Sequence, residues 1–132
     1  MLFSTLGIAG TGITVYRKWM DAVSDNLANM NDPVRTDQPA YQTHYVIARS
    51  VDAARGLGAE IAGTALGTST GRLAYEPESP LADSAGYVKY PDMDLGSQMT
   101  QLLMAQRGYE ANLAVVDRAH DAYQAALQLG RG

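Results

Sequence analysis

Apolar residues near the start of the chain recur in alternating steps of four and three. Leu2, Leu6, Ala9, Ile13, Tyr16, Met20, Val23, Leu27 and Met30 keep that rhythm without a break, which is the a/d spacing of a coiled-coil helix. The front half of this helix is intrinsically weak, because Gly7, Gly10 and Gly12 each cost about 1 kcal/mol relative to Ala in a helix interior. It is expected to fray in the free chain. Asn29, Asn31, Asp32 and Pro33 then supply the polar and proline signals that stop a helix. Towards the other end Leu95, Met99, Leu102, Gln106, Tyr109, Leu113, Val116, His120, Tyr123 and Leu127 repeat the alternation, preceded by Pro91 and a capping Asp94 and followed by Gly130. A helix of that length runs to roughly 50 Å at 1.5 Å per residue, so it needs a partner of similar length, and the N-terminal helix is at hand.

Between the helices the 3.6-residue period disappears. Alternation characteristic of strands appears over Tyr41 to Ala48, Ala59 to Ala65 and Arg72 to Tyr75, punctuated by Gly56, Gly58, Gly67 and Gly71. Two or three short strands are expected, followed by an irregular return through Pro77, Pro80, Gly86 and Pro91. The fold class is therefore α+β: two long terminal helices forming an antiparallel coiled-coil pair, with a small irregular β region between them. The expected division is residues 1–33 for the first helix, 34–91 for the β-rich region and 92–132 for the second helix.

Two facing seams can hide each other, yet apolar residues also stand beside them. Ile8, Val15 and Trp19 flank the first, and Leu103, Met104, Ala111, Val115, Ala119, Ala122 and Ala126 flank the second. That surplus implies further neighbours, so the helices are expected to order fully only in an assembly, burying a second face against other copies.

Composition narrows the function more by exclusion than by indication. With a formal net charge of -4 the chain lacks the cationic excess that phosphate neutralisation requires, which argues against nucleic acid and anionic membranes. The 132 residues contain no cysteine, excluding disulfides, thiolate zinc sites and cysteine nucleophiles. Met1 to Tyr16 carry no charged side chain, but Arg17 and Lys18 follow rather than precede them, and Ser, Thr and Gly dilute the run. This fits neither a signal peptide nor a membrane span. The expectation is either a cytosolic protein or one exported by a route that reads an uncleaved N-terminus.

No catalytic chemistry is indicated. The two histidines, His44 and His120, are far apart in sequence, and no phosphate loop or hydrolase motif occurs. Asp52, Glu60, Glu76, Glu78 and Asp83 are scattered and read as solubilising charges. A metal held by His120 with Asp117 and Asp121 is disfavoured, because side chains at those steps do not converge. No cofactor, metal or small-molecule substrate is expected.

Two stretches carry a resemblance. Met20-Asp21-Ala22-Val23-Ser24-Asp25-Asn26-Leu27-Ala28-Asn29 resembles the N-terminal signature of the flagellar rod and hook proteins, a helix ending in an Asn-Leu-Ala-Asn element. Ala85-Gly86-Tyr87-Val88-Lys89-Tyr90-Pro91-Asp92-Met93-Asp94, followed by Gln106-Arg107-Gly108-Tyr109-Glu110-Ala111-Asn112, is similar to the short proximal-rod members of that family. Gly108 departs from the pattern, standing where a larger helix former is expected, and the segment from Arg35 to Gly71 matches only loosely. The resemblance implies a structural subunit of the basal-body rod, exported unfolded by the flagellar type III apparatus and needed for flagellum assembly and motility. It also implies partners in other copies of the chain and other rod proteins, with both termini packed as coiled coil around a channel and the β region facing outward.

The candidate assembly residues are Leu6, Ile13, Tyr16, Trp19, Met20, Val23 and Leu27 on the first helix, with Met99, Leu102, Tyr109, Leu113, Val116, Tyr123 and Leu127 on the second. Several positions have two readings. Asn26 and Asn29 are either helix-capping residues or subunit contacts; Trp19 is either core or an anchor between subunits. Gln106 and His120 either set coiled-coil register or lie in solvent, and Gly108 either permits close helix approach or is a tolerated defect. The competing function is a cytosolic helical-hairpin adaptor or chaperone binding a partner helix. A small hydrolase would need its carboxylates gathered in a pocket.

Overall fold

A computed structural model describes residues 2–51 and 57–132, the side chains of Leu2 and Phe3 excepted. The expectations for Leu2, Asp52 and Gly56 fall outside what is described. The chain runs α1 (Leu2–Asn29), β1 (His44–Ser50), β2 (Ala59–Leu66), β3 (Arg72–Tyr75), β4 (Tyr87–Tyr90) and α2 (Leu95–Leu129). The helices lie antiparallel, and the β region sits between them in sequence, so the expected α+β class holds.

Close approach of the helices rests on a reciprocal exchange. The Tyr16 ring of α1 fills the space that a Cβ on Gly108 would occupy, and the Asn112 carboxamide of α2 fills the space beside Gly12, where a Cβ would stand 2.6 Å from its Oδ1. Each helix thus offers a glycine gap to a large side chain of the other. Gly108 is a docking position, not a defect, and the contact offsets its poor helix propensity. The Asp94 side chain caps α2 by accepting the Ser97 N–H at 2.7 Å, leaving one fewer orphan donor in the first turn. At the end of α1 the Asn29 Nδ2 donates back to the Asp25 carbonyl at 2.8 Å.

β1 and β2 form an antiparallel hairpin from His44↔Leu66 to Ser50↔Ala59, with a bulge between Ile47 and Ala48. Arg49 and Glu60 face each other across the hairpin and form a salt bridge, Nη2 to Oε1 2.6 Å. The hairpin lies along α1, where the Ala59 N–H donates to Thr11 Oγ1 at 3.1 Å. β3 and β4 make a second antiparallel pair, Arg72↔Tyr90 to Tyr75↔Tyr87, and Val34 bridges Lys89 on the far side of β4. β4 lies inside the stretch expected to be irregular. Its four residues alternate correctly between Gly86 and Pro91, but so short a run is specified by its partners β3 and Val34, which local reading does not see.

The loop from Ser79 to Tyr87 is organised by Asp83. Its Oδ1 accepts the N–H groups of Ala85 and Tyr87, and its Oδ2 accepts the Thr36 hydroxyl. These bonds, the Tyr87 N–H foremost, hold the carboxyl below the usual carboxylate range. A depressed acid stabilises the fold above its unfolded pKa and loses that contribution as pH falls through the folded value. We expect wild type to lose stability below about pH 4 and Asp83→Asn to flatten that loss, as measured by urea unfolding at stepped pH. Independently, Gly108→Val should destabilise the helix pair by about 1–3 kcal/mol through overpacking against Tyr16, read from the denaturant midpoint.

Candidate assembly surface

On α1 the expected seam faces the protein: Ala9 and Val23 are buried, and Leu6, Ile13, Tyr16, Met20, Leu27 and Met30 are half-buried. α2 behaves differently. Leu102, Tyr109 and Val116 are half-buried, but Leu95, Met99, Gln106, Leu113, His120, Tyr123 and Leu127 are exposed. In their place Gln98, Ala105 and Ala119 are buried and Asn112 is half-buried. The face that meets α1 is thus turned by one position from the one the large apolar residues mark. The cause is steric: the Tyr16–Gly108 and Asn112–Gly12 contacts draw the helices close, and only small or slender side chains fit between.

The turn leaves large apolar side chains facing outward. Met99 is 52% exposed and Leu113 40%, with Leu103, Met104 and Val115 similarly open. Met99, Thr100, Leu102, Leu103 and Gln106 line a groove of about 330 Å³ on this outer face. A second groove, about 260 Å³, lies between α1 and the hairpin among Val15, Tyr16, Trp19, Val46 and Ala48. Trp19 there is half-buried, stacked on Tyr16 with centroids 6.1 Å apart, and its Nε1 donates to Gln101 Oε1 at 3.3 Å. α2 also outruns α1. The facing pairs Asn26–Gln98, Tyr16–Gly108 and Gly12–Asn112 place the last roughly two turns of α2 beyond the start of α1, and every residue from His120 to Gly132 is exposed.

The junction of the three parts is Asn26, which is 0% exposed. Its Nδ2 donates to the His44 carbonyl and to Gln98 Oε1, both at 3.0 Å. Its Oδ1 accepts the His44 N–H at 2.8 Å and the Tyr41 hydroxyl at 3.2 Å. All four hydrogen-bonding capacities of the amide are used. Burial, with a smaller push from the Asp25 carboxylate, raises the Tyr41 phenol above its ordinary range, so it stays a neutral donor. Neither of the readings drawn from sequence for Asn26, helix cap or subunit contact, describes this role; only Asn29 serves the helix end.

The other motif residues are dispersed. Leu27 is half-buried and Ala28 exposed; Tyr90 donates to Glu76 Oε1 at 2.9 Å beneath Arg72, and Pro91 is buried. Gln106, Arg107, Glu110 and Ala111 are exposed, Gln106 in the groove wall, whereas Tyr109 is half-buried and Asn112 meets Gly12 of α1. Gln98 and Ala105 were not picked out from sequence, and Ala119, read there as flanking the seam, is part of the inner face. Their signal is a seven-residue repeat of slender side chains, Gln98, Ala105, Asn112 and Ala119, running beside the bulkier one.

Among the described residues no cluster of His, Asp or Glu is arranged to hold a metal, and no helix is long and apolar enough to cross a membrane. The paired terminal helices, with large apolar side chains left exposed on α2, suit a structural subunit. Residues 84–129 match the family model for the C-terminal part of the flagellar basal-body rod FlgEFG proteins. Over 98% of both chains the sequence is 32% identical to the flagellar basal-body rod protein FlgC of Salmonella typhimurium. It is 28% identical to that of Borreliella burgdorferi over 99% of each chain, and 27% identical to that of Bacillus subtilis over 98% of each. The chain belongs to the FlgC family of flagellar basal-body rod proteins. It is a structural component of the basal body, not an enzyme.

The Asn26 junction makes a direct test. Asn26→Leu removes a partner from the His44 backbone, Gln98 and Tyr41 at once, and each buried group left unbonded costs about 1–3 kcal/mol. The variant should lose about 3 kcal/mol or more in urea unfolding, whereas Tyr41→Phe should lose about 1 kcal/mol.

Proposed function

We propose that this chain is exported by the flagellar type III apparatus and then packs, through its terminal helices, against other copies and against other rod proteins to build the proximal part of the rod, on which flagellum assembly and motility depend. The observation that carries this reading is the set of large apolar side chains that α2 leaves exposed. Met99, Leu103, Met104, Leu113 and Val115 are large apolar residues on a helix whose inner face is already satisfied by smaller ones. Left in water they contribute nothing; buried against a neighbour each contributes about 1.5–3 kcal/mol. The exposed end of α2, which projects past the start of α1, supports the same reading, since a projecting helix end gains little from its partner helix. Absence of cysteine and a glycine-weakened α1 suit a chain that must travel unfolded. The hairpin lies along α1, and the described residues between 34 and 91 face outward in the rod.

Deleting the gene and complementing with Met99→Asp/Leu113→Asp tests the reading. Neither side chain is buried in the free subunit, so the variant should keep the helical circular dichroism of wild type. Its incorporation into isolated basal bodies should fall roughly tenfold or more, at about 1.4 kcal/mol per factor of ten, and cells should not swim. Normal rods and motility would refute it.

A further inference from the structure

Among the described elements β3 is an edge strand, paired with β4 alone. Val34 and Lys89 exchange both backbone hydrogen bonds, N–H to O 2.8 and 2.9 Å. The Lys89 peptide groups therefore point away from β3, and the β3–β4 bonds are made by Arg72 with Tyr90 and by Ala74 with Val88. The N–H and C=O groups of Leu73 and Tyr75 consequently point out of the sheet. The other strand edges are treated differently: Val34 covers β4, the Asn26 amide engages His44 of β1, and Thr11 engages Ala59 of β2. Among the named elements β3 touches only β4. The side chains of Leu73 and Tyr75 are also open, 60% and 65% exposed, and Pro77, at the next outward position, limits the free edge to these two residues.

The geometry points to a second copy of this chain as the occupant, pairing β3 with β3 antiparallel about a two-fold axis at Ala74. In that register Leu73 lies opposite Tyr75 twice. These are the residues with outward backbone groups, so two complete hydrogen-bonded pairs form. Arg72 lies opposite Glu76 twice, giving two opposite-charge pairs on the other face. A register shifted by two residues loses one of these bonded pairs and the charge match. Two small sheets become one four-stranded sheet, and the aliphatic and aromatic side chains of Leu73 and Tyr75 cover each other.

The contact falls below the size of stable interfaces, so the dimer is weak, with dissociation on the order of 0.1–1 mM. It is a form of the free subunit. Pairing then hides the Leu73–Tyr75 patch until incorporation replaces it.

Sedimentation equilibrium of the whole chain across that concentration range should show a monomer–dimer equilibrium. Leu73→Pro removes one outward N–H and leaves the bonds to β4 intact, so it should abolish the dimer while thermal unfolding remains cooperative. Arg72→Glu places like charges opposite each other and should weaken the dimer at least tenfold; Arg72→Glu/Glu76→Arg should restore it. Met99→Asp, on α2, should leave it unchanged. A chain that stays monomeric throughout, or a dimer insensitive to Leu73→Pro and Arg72→Glu, overturns the proposal. These readouts are separate from motility and rod incorporation.

Discussion

A single carboxamide holds the three parts of this molecule in register. Asn26 meets the His44 N–H with its oxygen and the His44 carbonyl with its nitrogen, which is how a peptide group on an adjoining strand would meet them. The helix thereby ends as though it were the next strand of the hairpin. The same nitrogen reaches Gln98 at the first turns of α2. A buried amide is costly unless every capacity is used, and here the uses are divided between the Tyr41–His44 segment and α2. Shifting any one of the three by a residue leaves the other two with unmet groups, so the polar contact specifies alignment where the small apolar core of alanines and valines does not.

Once that alignment is set, close helix contact follows and decides what remains outside. Tyr16 over Gly108 and Asn112 beside Gly12 bring the backbones together, and between them there is room for Ala105 and Ala119 but not for Met99 or Leu113. Tight internal packing and outward apolar surface are therefore one fact. Placing the larger residues inside would push the helices apart, break the Asn26–Gln98 bond and lose both glycine contacts.

Much of this was legible along the chain. The α1 seam, both helix limits, the Asp94 cap and three of the four strands follow from periodicity and punctuation, because those features are local. What was not legible depends on a distant partner. α2 carries two competing seven-residue repeats, one large and one slender, and only the glycine at position 12 and the ring at position 16 of the facing helix select the slender one. β4 is too short to declare itself without β3 and Val34. Asn26 reads as an ordinary helix-terminal residue until His44, eighteen residues on, is seen to complete it.

Trp19 is the single tryptophan of the chain, and its place has a practical consequence. The indole is stacked on Tyr16, tied to Gln101 across the helix interface, and set in the wall of the groove between α1 and the hairpin. Its fluorescence therefore reports from the spot where both helices and the hairpin converge. Separation of the helices shifts its emission to the red, and an apolar group entering the groove shifts it to the blue, without any added label.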